Sequence, residues 1–220
     1  MKENQKKILL WVLDLAVNLA VIIILVVVIQ KWIIAPFDVS GSSMCDTLNL
    51  IEGECHKGEG EKIIINEATY AFGEPQRGEI VVFKADAKEE KYFIKRIIGI
   101  PGDKIELKGG NVFINDIRLE ENYLNPENKG RTEPFFSDFS TFNVPEGKYF
   151  LLGDNRIAST DSRSCFQSSI SLECKNSPEK AFVEKEHIRG RAWFVWWPLG
   201  NIRLLYQAEY PELSASLEEK

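Results

Sequence analysis

Polar side chains are sparse over residues 8–29, and no later apolar run approaches that length. As a helix at 1.5 Å per residue, these 22 residues would span about 33 Å, enough to cross a hydrocarbon core. From about Asp38 the pattern changes to short runs of apolar and polar residues separated by Gly, Pro and charged turns, the mark of β-strands. Strands are expected over residues 62–66, 79–84, 92–98, 104–108 and 149–152, with a closing strand over 190–198. Gly109-Gly110, set between Ile105/Leu107 and Val112/Ile114, predicts a two-residue hairpin, and Asn115-Asp116 predicts a second. Residues 122–142, with Pro126 and Pro134, read as an irregular excursion, and residues 212–220 as a frayed tail. No helical periodicity longer than three turns follows residue 37. The expected fold is therefore mainly β, with coiled antiparallel sheets or an open barrel behind one N-terminal transmembrane helix. The chain divides into an N-terminus of residues 1–7, the membrane helix 8–29, a β-rich domain 30–211 and the tail 212–220.

Charge gives the helix a direction. Lys2, Lys6 and Lys7 precede it against Glu3 alone, which by the positive-inside tendency keeps the N-terminus cytoplasmic and the β domain outside, single-pass in the cell membrane. Lys31, Trp32 and Phe37 then fall at the outer interface. A cleaved secretory signal starts in the same way, but its apolar region runs only about 7 to 15 residues, so an uncleaved anchor fits the length better. The net charge of −6 argues against a nucleic-acid partner, and 44% apolar content is enough to fill a core. Cys45 and Cys55 lie ten apart and Cys165 and Cys174 nine apart, spacings that suit two local disulfides in an outward-facing domain. A zinc site through His56 lacks a supporting Cys-x-x-Cys spacing. His56 and His187 sit in no recognisable motif, so a serine-histidine-aspartate triad is not expected.

Three stretches carry candidate chemistry. Residues 39–48 follow the apolar run closely and read VSGSSMCDTL, a turn that can present the Ser43 hydroxyl beside an apolar surface. Most serines in such runs are turn or cap residues, so Ser43 needs support from elsewhere. In the strand 92–98, period-two alternation puts Lys95 on one face with Phe93 and Ile97, and Arg96 on the other with Tyr92, Ile94 and Ile98. A lysine desolvated by such neighbours loses pKa and can become a general base. The alternative is a strand lysine whose stem covers apolar surface while its head reaches water. Residues 153–163, GDNRIASTDSR, form a dense polar loop directly after an apolar strand, as a supporting shell would.

Together these stretches resemble bacterial type I signal peptidases, the leader peptidases that use a serine-lysine dyad. The family patterns are SGxSMxPTL, RGDxVVF, KRxxGxPGD and GDNRxxSxDSR. This chain has SGSSMCDTL, RGEIVVF, KRIIGIPGD and GDNRIASTDSR, in the family order after an N-terminal anchor. The resemblance implies Ser43 as nucleophile and Lys95 as general base, with Ser159 orienting the lysine amine and Asp161 and Arg163 bracing the loop. Asp154 and Arg156 of the same motif belong to that supporting shell. It implies an oxyanion hole made by the Ser43 N–H, with Gly41 standing where some members carry a second, hydroxyl donor. The substrate would be a signal-peptide-bearing preprotein with an Ala-x-Ala site, added as a strand between residues 37–39 and 92–94. Phe37, Val39, Met44, Leu48, Phe93 and Ile94 would wall its pockets. Membrane lipid is the other expected partner, and neither a cofactor nor a metal is implied. Asp46 replaces the family proline, Glu79 replaces an aspartate, and an apparent insertion follows Arg163 where the family usually continues with an aromatic-glycine pair. Two rivals remain: another serine-lysine protease of the self-cleaving repressor type, and an inactive membrane-anchored β binding domain.

Overall fold

The structure is a computed structural model that describes residues 3–86, 90–135, 139–167, 174 and 176–218. Lys2, the end of the tail and most of the insertion after Arg163 lie outside the described residues, as do the side chains of Lys31 and Trp32. Helix α1 (Glu3–Trp32) contains an apolar span of 25 residues, Gln5–Ile29, long enough to cross a membrane. Its apolar side chains are exposed along its length. A helix apolar all round needs a surrounding apolar phase.

Strand β1 (Ile34–Ser40) follows, then a small exposed hairpin of β2 (Leu50–Ile51) and β3 (Glu54–Cys55), then β4 (Glu59–Asn66). A one-turn helix, Thr69–Phe72, leads to β5 (Ile80–Phe83) and β6 (Phe93–Gly99). Next come β7 (Lys104–Lys108), β8 (Asn111–Ile114) and β9 (Ile117–Arg118), joined by the two expected hairpin turns. Gly109, Gly110, Asn115 and Asp116 all have positive φ, as two-residue turns that follow the strand twist require. After the excursion come β10 (Thr141–Asn143), β11 (Lys148–Leu152), β12 (Val183–Glu184), β13 (Ile188–Trp197) and β14 (Arg203–Leu204).

The larger sheet runs β1-β4-β13-β5-β6-β11-β12, with β14 added on β13. Its described pairings are antiparallel. It curls strongly: β1 and β6 stand four places apart in the strand order, yet Phe37 and Tyr92 beside them touch ring to ring at 5.3 Å. The inside of this half-barrel is apolar, built from Val39, Met44, Leu48, Ile63, Val82 and Val195 among others. A second sheet, β10-β7-β8-β9, packs its own core against Phe150 and Leu152 of β11. Along β13 Ala192 and Val195 point inward and Trp193 and Trp196 outward, because a register shift between Ala192 and Phe194 resets the alternation.

Both local disulfides are formed, Cys45–Cys55 and Cys165–Cys174, each with Cα atoms 5.5 Å apart. One expectation is corrected. Residues 211–218 are not a frayed tail but a helix, Pro211–Glu218. Leu213 packs on the second core, and Glu212 Oε1 accepts the Glu120 N–H at 2.7 Å.

Candidate active site

Residues 41–49 connect β1 to β2 and carry Ser43. Cys45 N donates to Ser42 O at 3.1 Å, and Thr47 N and Leu48 N donate to Met44 O at 2.8 and 2.6 Å. Residues four apart on a helical turn share a side. Met44 and Leu48 accordingly drop together into the interior, 1% and 0% exposed, while Ser43 lines the open groove. Asn49, in the left-handed region at φ 62°, closes the segment. Its Nδ2 donates to Val39 O and Gly41 O at 3.1 and 3.0 Å, and its Oδ1 accepts the Glu61 N–H at 2.8 Å. Entry and exit of the Ser43 turn are thus tied through one side chain.

Lys95, on β6, reaches Ser43 from the opposite wall. Its Nζ lies 2.7 Å from Ser43 Oγ and 2.8 Å from Ile94 O. The side chain is 3% exposed, and among the described residues no carboxylate forms an ion pair with it. Burial drives its pKa from 10.5 down to about 8, against the opposing pull of Asp161 and Asp154. A folded-state pKa below the unfolded one means that the folded protein binds fewer protons between those two values. The burial therefore costs stability in full below about 8, and the cost fades as pH rises to 10.5. Lys95→Met should melt above the wild type at neutral pH, with a gain that shrinks on approach to about pH 10. Thermal melts at both pH values check this; a gain that does not change with pH would mean that the folded state does not lower the pKa of the amine.

The polar loop of residues 153–163 backs the pair. Asp161 accepts Arg163 Nε and Nη2, both at 2.9 Å, and the Gly153 N–H at 3.1 Å. Burial alone would raise the pKa of Asp161, but the Arg163 guanidinium and these hydrogen bonds hold it below the usual carboxylate value. Asp154 takes Arg96 Nε at 3.0 Å and Nη2 at 2.7 Å, and also the hydroxyl of Thr47 at 2.5 Å. Arg156 pairs with Glu121 and donates through Nε to Gly153 O at 3.0 Å. The loop meets the Ser43 turn directly at Asn155, whose backbone N–H donates to Ser43 O at 3.1 Å and whose Nδ2 donates to Ser42 O at 3.0 Å.

Ser159 departs from the role that the resemblance gave it. The lysine amine bonds Ser43 Oγ and Ile94 O and makes no hydrogen bond to Ser159, whose buried Oγ lies beside the Asp161 carboxylate. It lies against Gly153, where an added Cβ would overlap Ser159 Oγ and come within 2.5 Å of Ser43 O. The glycine is therefore required by space, not by backbone conformation. Gly153→Ala should cost about 1–3 kcal/mol by overpacking and slow turnover by pushing the loop off the nucleophile turn. Unchanged melting and unchanged turnover in that variant would show that the two segments are not in this contact.

The groove between the two walls holds about 280 Å³ and is lined by Phe37, Val39, Phe93 and Ile94 beside the Ser43–Lys95 pair. Met44 and Leu48, expected in its walls, are core residues beneath it; Met44 Sδ accepts the Asp154 N–H at 3.4 Å. The groove is lined instead by Ile63 of β4 and Val82 of β5. Asp46 has a structural partner set: its carboxylate accepts the Asn125 N–H at 2.7 Å and the Asn128 Nδ2–H at 2.8 Å, which ties the excursion to the Ser43 turn. Glu79, the other acidic substitution, is buried and accepts Gln76 N at 2.9 Å, Tyr70 OH at 2.8 Å and Arg191 Nη1 at 3.0 Å.

Comparison with known proteins bears on this geometry. A family model described as "Signal peptidase, peptidase S26" matches residues 12–197. A signal peptidase I from Bacillus licheniformis is 32% identical over 206 residues, covering 92% of this chain and 96% of that protein. A signal peptidase IB from Staphylococcus aureus (strain COL) is 29% identical over 216 residues, covering 93% and 97%. Among solved structures, a signal peptidase I from Enterococcus faecalis V583 aligns with 54% of this chain and 97% of its own, with a TM-score of 0.38 and 29% identity.

Proposed function

This chain belongs to the signal peptidase family, peptidase S26, and we propose that Ser43 and Lys95 form the dyad with which it removes signal peptides from preproteins. It is a serine peptidase, a hydrolase, with an apolar N-terminal helix suited to membrane anchoring. The observation that carries the dyad is the 2.7 Å approach of Nζ to Oγ in a site where burial lowers the lysine pKa. Neutral Lys95 takes the Ser43 hydroxyl proton as Oγ attacks the carbonyl carbon of the scissile bond. The tetrahedral oxyanion accepts the Ser43 N–H, and the leaving amine takes the proton from Lys95. Lys95, neutral again, then takes a proton from water as its oxygen attacks the ester carbon, and Ser43 Oγ leaves and takes that proton back.

The groove supports an extended substrate strand laid between β1 and the segment leading into β6, a β-augmentation mode. Its small volume between Val39, Ile63, Val82 and Ile94 favours alanine at the −1 and −3 positions. The basic N-terminus supports a cytoplasmic start and an extracytoplasmic residue 30–211 peptidase domain. Exposed Trp193, Trp196 and Trp197 are suited to contact with lipid. Asp154, Arg156, Asp161 and Arg163 serve as the supporting shell. Of the two departures that favour the inactive-binder reading, Gly41 and Asp46, the second is accounted for by its hydrogen bonds to the excursion.

The full chain in detergent or lipid, incubated with a preprotein carrying an Ala-x-Ala site, should cut after the second alanine, as mapped by mass spectrometry. Ser43→Ala should not cut. Cleavage that survives in Ser43→Ala would remove that serine from the reaction.

A further inference from the structure

We infer that Asn155 is the positioning residue of the oxyanion donor, an inference that rests on Ser43 being the nucleophile. A peptide group is planar and trans, so its C=O and N–H point in opposite directions as one rigid unit. The carbonyl of Ser42 and the N–H of Ser43 belong to the same peptide group. By donating to Ser42 O at 3.0 Å, the Asn155 amide fixes the plane that aims the Ser43 N–H. The Asn155 backbone N–H, donating to Ser43 O at 3.1 Å, fixes the next plane. With both planes held, the φ and ψ of Ser43 are set, and with them the direction in which its Cβ leaves the backbone, while χ1 places Oγ 2.7 Å from Lys95 Nζ. One residue thereby aligns both the donor and the nucleophile.

Two further observations support this role. Among the described residues, no acceptor takes the Ser43 N–H, so it is free for an incoming oxyanion. Ser42 O also accepts Cys45 N at 3.1 Å, and a carbonyl that accepts two hydrogen bonds polarises its peptide and makes the attached N–H a stronger donor. The amide orientation of Asn155 is fixed by chemistry, since only an N–H can face a carbonyl oxygen. Among the described residues, its Oδ1 is buried without a partner. A buried polar atom left unpaired costs stability, so the side chain is held for what its nitrogen does. Gly41, where some members of the family carry a hydroxyl, has no side chain to donate, which puts more weight on this peptide.

The test is Asn155→Asp, nearly isosteric, which sets a carboxylate against Ser42 O, with Asn155→Ala as a second variant that removes the side-chain donor without adding charge. Losing an oxyanion donor costs about 10²- to 10³-fold in kcat, and the aspartate variant should fall in that range with KM changed by less than about threefold. Asn155→Ala should fall by about tenfold or more, because the backbone bond to Ser43 O remains. A peptide aldehyde, to whose carbon Ser43 Oγ adds to give an oxygen in the oxyanion position, should bind more weakly by the same factors as kcat. Uncleaved peptide should bind Ser43→Ala and Ser43→Ala/Asn155→Asp alike, which a merely structural role would not allow. The inference is overturned if kcat in both variants stays near that of the wild type, or if peptide binding and thermal melting fall together with kcat. Wild type that fails to cut any Ala-x-Ala preprotein would instead sink the dyad reading, and this inference with it.

Discussion

Lys95→Arg should cleave no better than Lys95→Ala, with both about 10³- to 10⁴-fold below wild type, the upper range for loss of a general base. The amine acts by being neutral, and a guanidinium stays protonated at any pH the protein survives and has no lone pair to offer. Size adds to the effect. The amine fits between Ser43 Oγ and Ile94 O at 2.7 and 2.8 Å, a space into which a planar, five-donor group does not fit without displacing the serine. Lys95→Met, nearly isosteric and uncharged, separates loss of the base from loss of the fold, since it should be equally inactive and at least as stable. Rates on one preprotein for all three variants, with melting curves beside them, check this. Wild-type-like activity in the arginine variant would take Lys95 out of the mechanism.

Asp154→Ala should be the most destabilising single change in the supporting shell. The Arg96–Asp154 pair is almost fully enclosed, with side chains 2% and 0% exposed. Arg96 also donates to Gly78 O at 2.7 Å and lies 4.1 Å over the Tyr123 ring. Removing the carboxylate leaves a buried guanidinium without its counter-charge, a loss of about 3–5 kcal/mol. It also removes the acceptor of the Thr47 hydroxyl, four residues after Ser43. An apolar replacement of both partners, Arg96→Met with Asp154→Leu, should recover much of that stability, because the penalty lies in the orphaned charge. Chemical denaturation of the two variants checks the prediction, and a double variant as unstable as the single one would contradict it.

Much of this site could be read in the chain because its motifs are local. Alternation alone put Lys95 among Phe93 and Ile97, and two-residue turns with positive φ followed from Gly109-Gly110 and Asn115-Asp116. The apolar run of residues 8–29 gave the long helix nearly to its ends. What could not be read depends on how distant segments curl together. Met44 and Leu48 look like groove residues beside Ser43, but a helical turn there points them inward, which a string of residues does not reveal. Ile63 and Val82 line the groove only because the sheet bends until β1 faces β6. Asn155 lies in the recognised polar loop, yet its two hydrogen bonds to Ser42 and Ser43 span more than a hundred positions. Ser159 shows the reverse case, a motif residue whose expected bond to the lysine is not made.

The central claim is that a buried, neutral Lys95 activates Ser43, and the pH dependence of kcat/KM for cleavage of a preprotein tests it most directly, since that ratio reports the free enzyme's essential base. Below the lysine pKa the amine is protonated and cannot accept the serine proton. Log kcat/KM should therefore rise with unit slope and level off above about 8. A profile that stays flat through that range would mean that no group with the pKa of Lys95 controls the attack.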